Sequence, residues 1–210
     1  MRTVLFSALA LFLIAPLVAA ADEMSVPDAL GNLGDKMADR AAETDDAKEK
    51  KALGKWEKKA GKFEGDLGRK DLNLVVLAAK IAEKGTDDAE VVAAANALFE
   101  SLRAHAMAQL NAAEASRDAL ADDKNQGKVQ KKIDKGTALS DKAQDEDSPS
   151  KGMKGLVKAV LGYDKAQGIA TKLQLKEVKK GIAKLPDGVS LKDGVLTNNT
   201  GAGFQVLDVV

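Results

Sequence analysis

No cysteine occurs in the 210 residues of this chain. Disulfides, thiolate metal sites, thiol catalysis and covalent c-type haem attachment are thereby excluded, and stability has to come from packing. Aromatic residues are scarce as well, at 3% of the chain. Much of the apolar content is alanine, which offers little area when burial stabilises by roughly 25 cal/mol per Å². A thin core and modest stability are expected. Neither charge is in surplus, since 32 Lys and Arg face 32 Asp and Glu. Phosphate binding draws on surplus positive charge, so a general nucleic-acid binder is not expected, although local patches of one sign remain compatible with the balance. Nucleophile elbow, Walker loop, zincin motif and dinucleotide fingerprint are all missing. That points away from an enzyme, while active sites also assemble from distant residues.

What is present begins with a leader-like stretch. Arg2 supplies a short positive region, Val4 to Val18 is almost wholly apolar with Pro16 near its end, and Ala19-Ala20-Ala21 offers small residues for a peptidase. The apolar run is shorter than the roughly 20 residues of a membrane span. Residues 1–21 are therefore expected to be a signal peptide cleaved near Ala21, and the mature protein to be periplasmic or secreted. Losing Arg2 with it leaves 31 basic against 32 acidic residues, a net charge of −1. No other segment is apolar for long enough to cross a bilayer, so no transmembrane segment is expected after cleavage.

The mature chain reads mostly as helices. Asp22 to Pro27 is expected to be loose. Leu30, Leu33, Met37 and Ala41 then share one helical stripe, and Thr44-Asp45-Asp46 is a break and restart. A short repeat follows: Gly54-Lys55-Trp56-Glu57 recurs as Gly61-Lys62-Phe63-Glu64. Leu53, Trp56, Ala60, Phe63 and Leu67 make a heptad seam with Gly54, Gly61 and Gly68 beside it. Each interior glycine costs a helix roughly 1 kcal/mol relative to Ala, so the three suggest a backbone approaching closely or a helix that forms only when docked. Leu72 to Lys84 predicts a helix with Leu74, Leu77, Ala78 and Ile81 on one face. Another is expected from Thr86 or Asp87 to about Ala121, striped by Val92, Ala95, Phe99, Leu102, Ala106, Leu110 and Ala113. Asn125-Gln126-Gly127 interrupts the pattern, and the charged segment Lys128 to Ala143 is a weaker helix. Residues 145–149 form the clearest linker, with Ser148-Pro149 a good start for the amphipathic face of Met153, Leu156, Val157, Val160 and Leu161. That pattern fades near Gly168 and resumes at Val178, Ile182 and Leu185. From Pro186 the turn signals Asp187-Gly188 and Asp193-Gly194 separate short runs of strand formers.

The expected fold is mainly α: an up-and-down bundle of four to six helices with a small C-terminal β appendage. The expected divisions are a signal peptide at 1–21, a bundle at 22–147, amphipathic helix or helices packing on it at 148–185, and a hairpin or strand tail at 186–210.

Few residues carry chemistry. His105 is the only histidine and lies at the margin of an apolar stripe after Leu98 and Leu102, as a partly buried polar residue or as an axial haem or lone metal ligand. The pairs Asp45-Asp46, Asp87-Asp88 and Asp122-Asp123 lie near helix ends, where capping explains them. No loop has EF-hand spacing. Trp56 and Phe63 suit a core, or a docking stripe for a partner or membrane; the flanking lysines suit an anionic surface, against which the interleaved Glu57 and Glu64 count. Asn198-Asn199-Thr200 matches a glycosylation sequon, and Gly201-Ala202-Gly203 reads as a turn.

One stretch resembles the last helix of cytochrome b562-type periplasmic four-helix bundles. It is carried by Ile81-Ala82-Glu83-Lys84-Gly85, Ala93-Ala94-Ala95, Leu98, Arg103 and His105, with Met24 and Met37 near the first helix. The resemblance covers about a quarter of the chain. It implies haem b held by His105 with Met37 or Met24. Three functional expectations stand side by side: an exported, non-enzymatic bundle with an interaction or structural role, engaging a protein or cell-envelope partner or itself; a haem b-binding bundle; and a partly disordered stress-protectant helical protein, suggested by the charged segment 124–147 and the glycine-interrupted repeat. No cofactor is expected on the first and third.

Overall fold

The computed structural model describes residues 24–146, 148–182, 189–192 and 195–198. Among them are six helices: α1 (Val26–Glu43), α2 (Ala47–Ala60), α3 (Arg69–Gly85), α4 (Ala89–Asp118), α5 (Asp123–Gln144) and α6 (Pro149–Ile182). The mainly α fold follows from the apolar periodicity. Residues 1–21, on which the signal peptide was expected, lie outside the described residues.

Helix starts follow capping chemistry. The Asp46, Asp88 and Asp122 side chains each accept from two backbone N–H groups in the first turn of α2, α4 and α5, removing donors that would otherwise be orphaned. Ser25 caps α1, with Pro27 in its first turn, so the chain is already helical from Val26 rather than loose to Pro27. At α6 the Ser148 carbonyl and hydroxyl accept from Gly152 and Lys151 N–H, and Pro149 opens the helix as its sequence proposes.

Two apolar clusters share the interior. The larger joins α1, α2, α3 and the first half of α4 to the start of α6, through Leu30, Leu33, Leu72, Leu98, Met153 and Leu156 among others. The smaller joins the end of α4, α5 and the middle of α6 through Ala113, Val129, Ile133, Tyr163 and Ala166. Helices α4 and α6 run through both clusters, and α5 packs more extensively on α6 than any other pair of helices does. The expected boundary at 147/148 therefore separates neighbours in one core.

Inter-helix pairs set directions. Arg103 bonds Gln144 and Arg117 bonds Gln130, so α4 and α5 are antiparallel. Gln167 reaches Gln109, and Glu177 reaches the N–H of Ala121 and the amide of Asn125, so α6 is parallel to α4 and antiparallel to α5.

Four local expectations fail, each for an identifiable reason. The glycine-flanked seam is not one helix: Gly61 closes α2 and Gly68 opens α3, and a Cβ at Gly54 or Gly61 would meet nothing within 4 Å. Asn125-Gln126-Gly127 lies inside α5, because Asp122 caps it. Gly168 interrupts nothing, since Ala166 and Ala170 continue the buried face of α6. On α3 the buried face is Leu72, Val75, Ala78, Ala79 and Ala82, leaving Leu74 and Ile81 half-buried; on α4 it takes Val91, while Val92 is exposed.

Beyond α6, Val189–Lys192 and Val195–Asn198 pair antiparallel, with Val189 opposite Asn198 and Lys192 opposite Val195. The other residues of 186–210, among them the strand-favouring run Phe204 to Val209, lie outside the described residues.

Candidate functional site

The residues singled out from sequence are brought together only in part. Met37 is 1% exposed and Trp56 5% exposed, both in the larger core. Phe63 is half-buried against that core, and Met24 is 46% exposed. Met37, Trp56 and Phe63 do line one open groove of about 550 Å³ between α1 and α2, with Leu30, Leu53 and the acidic Asp35 and Glu57 among its walls. Trp56 is thus a core residue whose edge reaches this groove, not an exposed docking stripe. The indole lies over Gly34, where a Cβ would come within 2.8 Å of Nε1.

His105 is half-buried on α4 and does not line the groove. Burial pushes its pKa below the usual histidine value, and the charge of Asp164 on α6 partly offsets this. Asp164 is pushed up in turn by burial. Axial haem ligation by His105 and Met37 requires both side chains to face one slot. Met37 lines the α1–α2 groove and His105 does not, so this groove does not bring the pair together. No cluster of three His, Asp or Glu suited to a metal ion occurs among the described residues, and no described helix is long and apolar enough to cross a membrane.

The most connected polar group is Glu49, which sequence reasoning missed. Arg40 donates to both carboxylate oxygens, at 2.8 and 3.1 Å. Thr44 donates its hydroxyl at 2.5 Å, and Thr86 donates from the α3–α4 loop. Arg40, then the two hydroxyls, hold the Glu49 pKa down to about 2. The loops that meet here carry one motif twice. Thr44-Asp45-Asp46-Ala47 and Thr86-Asp87-Asp88-Ala89 each end one helix at the Thr and begin the next after the second Asp. In each, the Thr hydroxyl accepts from that Asp's N–H, at 3.2 and 3.0 Å, and donates to Glu49. The repeated tetrapeptide was the signal available in the sequence. Its arrangement ties two helical hairpins together at one end.

A second carboxylate does comparable work. Asp71 is 1% exposed and accepts from the N–H groups of Glu64 and Leu67. Burial opposes its ionisation, but these backbone donors outweigh it and its pKa is lowered. The bonds hold a loop in which Leu67 has a positive φ of 53°. With both carboxylates spent on loops, no buried side-chain polar atom among the described residues lacks a partner.

The surface carries the remaining chemistry, and part of it is aligned in rows of one sign. Asp28, Asp35 and Asp39 form an exposed acidic row on α1, whereas α2, α5 and α6 present rows of exposed lysines. Among the described residues only Lys36 of all the lysines is in an ion pair. Compared with protein-family models, characterised proteins and solved structures, the chain matches none.

Proposed function

We propose that this chain is an exported, non-enzymatic helical bundle whose role is to bind a cell-envelope partner through its charged faces. The observation that carries this reading is the alignment of like charges: an acidic row on α1 and lysine rows on α2, α5 and α6, in a chain with no net surplus. Random surface placement of both signs would serve solubility equally well, whereas segregated faces give specificity and steering toward a partner. The engagement of Glu49 by Arg40 and two threonines, and of Asp71 by backbone N–H groups, suits a structural role for both carboxylates. On this reading the leader at 1–21 directs export, and the paired strands β1 (Val189–Lys192) and β2 (Val195–Asn198) form a small appendage to the bundle, because an isolated hairpin is marginal in water.

Fractionation of producing cells tests the proposal. The expected product is a chain beginning near Asp22, recovered outside the cytoplasm and crosslinked to an envelope component. Retention in the cytosol with residues 1–21 intact, or steady turnover of a substrate lost on changing one polar residue, would refute it.

A further inference from the structure

Lysines on α6 fall in one row. Lys151, Lys154, Lys158, Lys165, Lys172 and Lys176 are all exposed, and at 3.6 residues per turn they fall within a sector of about 100°. The row runs about 38 Å at 1.5 Å per residue. It lies opposite the face buried by Leu156, Val160, Tyr163 and Ala170. The two acidic residues of α6, Asp164 and Glu177, both sit about 100° or more away from it on the helix.

A second row accompanies it on α5. Lys128, Lys131, Lys132, Lys135 and Lys142 are exposed and share a sector of similar width. Asp123, Asp134 and Asp141 occupy a separate flank, about 100° round the helix. The rows converge because α5 and α6 are antiparallel and touch through small residues: a Cβ at Gly162 would sit 3.7 Å from the Gly136 Cα, and one at Gly155 would sit 2.7 Å from the Ala143 Cβ. On each helix the lysine row lies roughly a quarter turn from that contact line. In each case it is on the side away from α4, which meets the pair through Gln130 and Gln167. Both rows therefore lie on one outer face. Closely packed helix axes are about 8 Å apart, which is about one Debye length at physiological ionic strength, so the two rows act as one field.

We propose that this α5–α6 face docks on the surface of an anionic lipid bilayer. The inference rests on the interaction role proposed above and names its partner. A planar headgroup layer meets both rows at once, while a linear polyanion would follow one. The rows contain only lysine, a point-charge donor suited to diffuse phosphates rather than to bidentate reading. They contain no aromatic side chain on which a base could stack. The lysine row of α2 is less suitable, because it is single and its helix packs on α1, which carries Asp28, Asp35 and Asp39.

Co-sedimentation of the mature chain, residues 22–210, with vesicles tests this. It should bind vesicles of phosphatidylcholine and phosphatidylglycerol mixed two to one. It should not bind vesicles of phosphatidylcholine alone, and salt raised from about 0.1 M to about 1 M should release it as screening shortens. Each lysine near an anionic surface contributes about a fivefold gain in partition, so the triple variant Lys154→Gln, Lys158→Gln, Lys165→Gln should bind about a hundredfold more weakly. The triple Lys51→Gln, Lys55→Gln, Lys58→Gln on α2 should stay within about threefold of the parent. Glutamine keeps helix propensity, and unchanged circular dichroism of both variants secures the comparison. Equal partition onto neutral vesicles, no partition onto either, or equal losses in the two triples would overturn the proposal. So would duplex DNA that competes the protein off the vesicles, which would move the face to a linear polyanion. Vesicle failure alone leaves the export and interaction role standing, whereas cytosolic retention or substrate turnover removes that role whatever the vesicles do.

Discussion

Gly127 and Gly136 lie nine positions apart on the same helix, and replacing each by alanine should move stability in opposite directions. Both gain the intrinsic helix preference of alanine, about 1 kcal/mol. At Gly127 a Cβ meets nothing within 4 Å, so Gly127→Ala should keep that gain. At Gly136 the Cβ would stand 2.5 Å from Tyr163 Cε1 and 2.9 Å from Cδ1. The ring is 1% exposed and its hydroxyl lies 3.4 Å from the Thr137 hydroxyl, so it has no open space into which to retreat. Overpacking of this kind costs up to about 3 kcal/mol, leaving Gly136→Ala destabilised by about 2 kcal/mol. At about 2–4 °C per kcal/mol for a chain of this size, its melting temperature should fall by about 4–8 °C, while that of Gly127→Ala rises by about 2–4 °C. Thermal denaturation followed at the helical circular-dichroism band measures both, with urea titration to verify an unchanged slope. Two variants stabilised alike would refute the close approach of α5 and α6, and with it the convergence of their lysine rows.

Four further outcomes are expected. The Glu49 pKa is held near 2 in the fold, below the ordinary carboxylate value; its contribution is present at neutral pH and is lost as pH falls from about 4.5 toward 2, so Glu49→Gln should flatten the acid limb of a stability–pH curve over that window. His105 titrates below its ordinary value because of burial, so stability should be full above about pH 6.5 and decline below it; NMR of the single histidine should show the depressed pKa, lowered further by Asp164→Asn. Trp56, the only tryptophan, should emit at short wavelength and resist acrylamide quenching, and red-shifted, easily quenched emission would contradict its burial. Added haemin should give no Soret band that depends on both His105 and Met37, since the groove that Met37 lines does not include His105.

Helices were legible because their grammar is local. The stripe of Leu30, Leu33 and Met37, the caps at Asp46 and Ser148, and the linker before Pro149 all use residues within a few positions of one another. Misreadings arise where a local signal has two meanings. Gly54, Gly61 and Gly68 share a heptad spacing, yet Gly61 and Gly68 punctuate a loop that Asp71 holds from the start of α3. The close backbone approach expected there occurs instead between Gly136 and Gly162, which no spacing within either helix announces. Likewise Asn125 and Gly127 are weak helix formers, but the Asp122 cap and the packing of Val129 and Ile133 outweigh them.

The candidate site divides the same way. His105 and Met37 were chosen for their chemistry one residue at a time, and a pair of ligands depends on long-range packing that a one-dimensional reading does not contain. The lysine rows are different. Their spacing of three, four and seven positions is fully visible in the chain, but a net-charge count cancels them against acids on other faces and other helices. Charge balance therefore excludes a partner only when the charges are mixed in space. Here each lysine row is set by helical periodicity, and the two rows become one surface only because small residues let α5 and α6 approach. The same glycines that would be faults in isolated helices thus bring like charges side by side, a repulsion that folding must overcome and that an anionic surface would relieve. Binding to such a surface should accordingly stabilise the bundle, and neutralising lysines on this face should stabilise the unbound protein while weakening its docking.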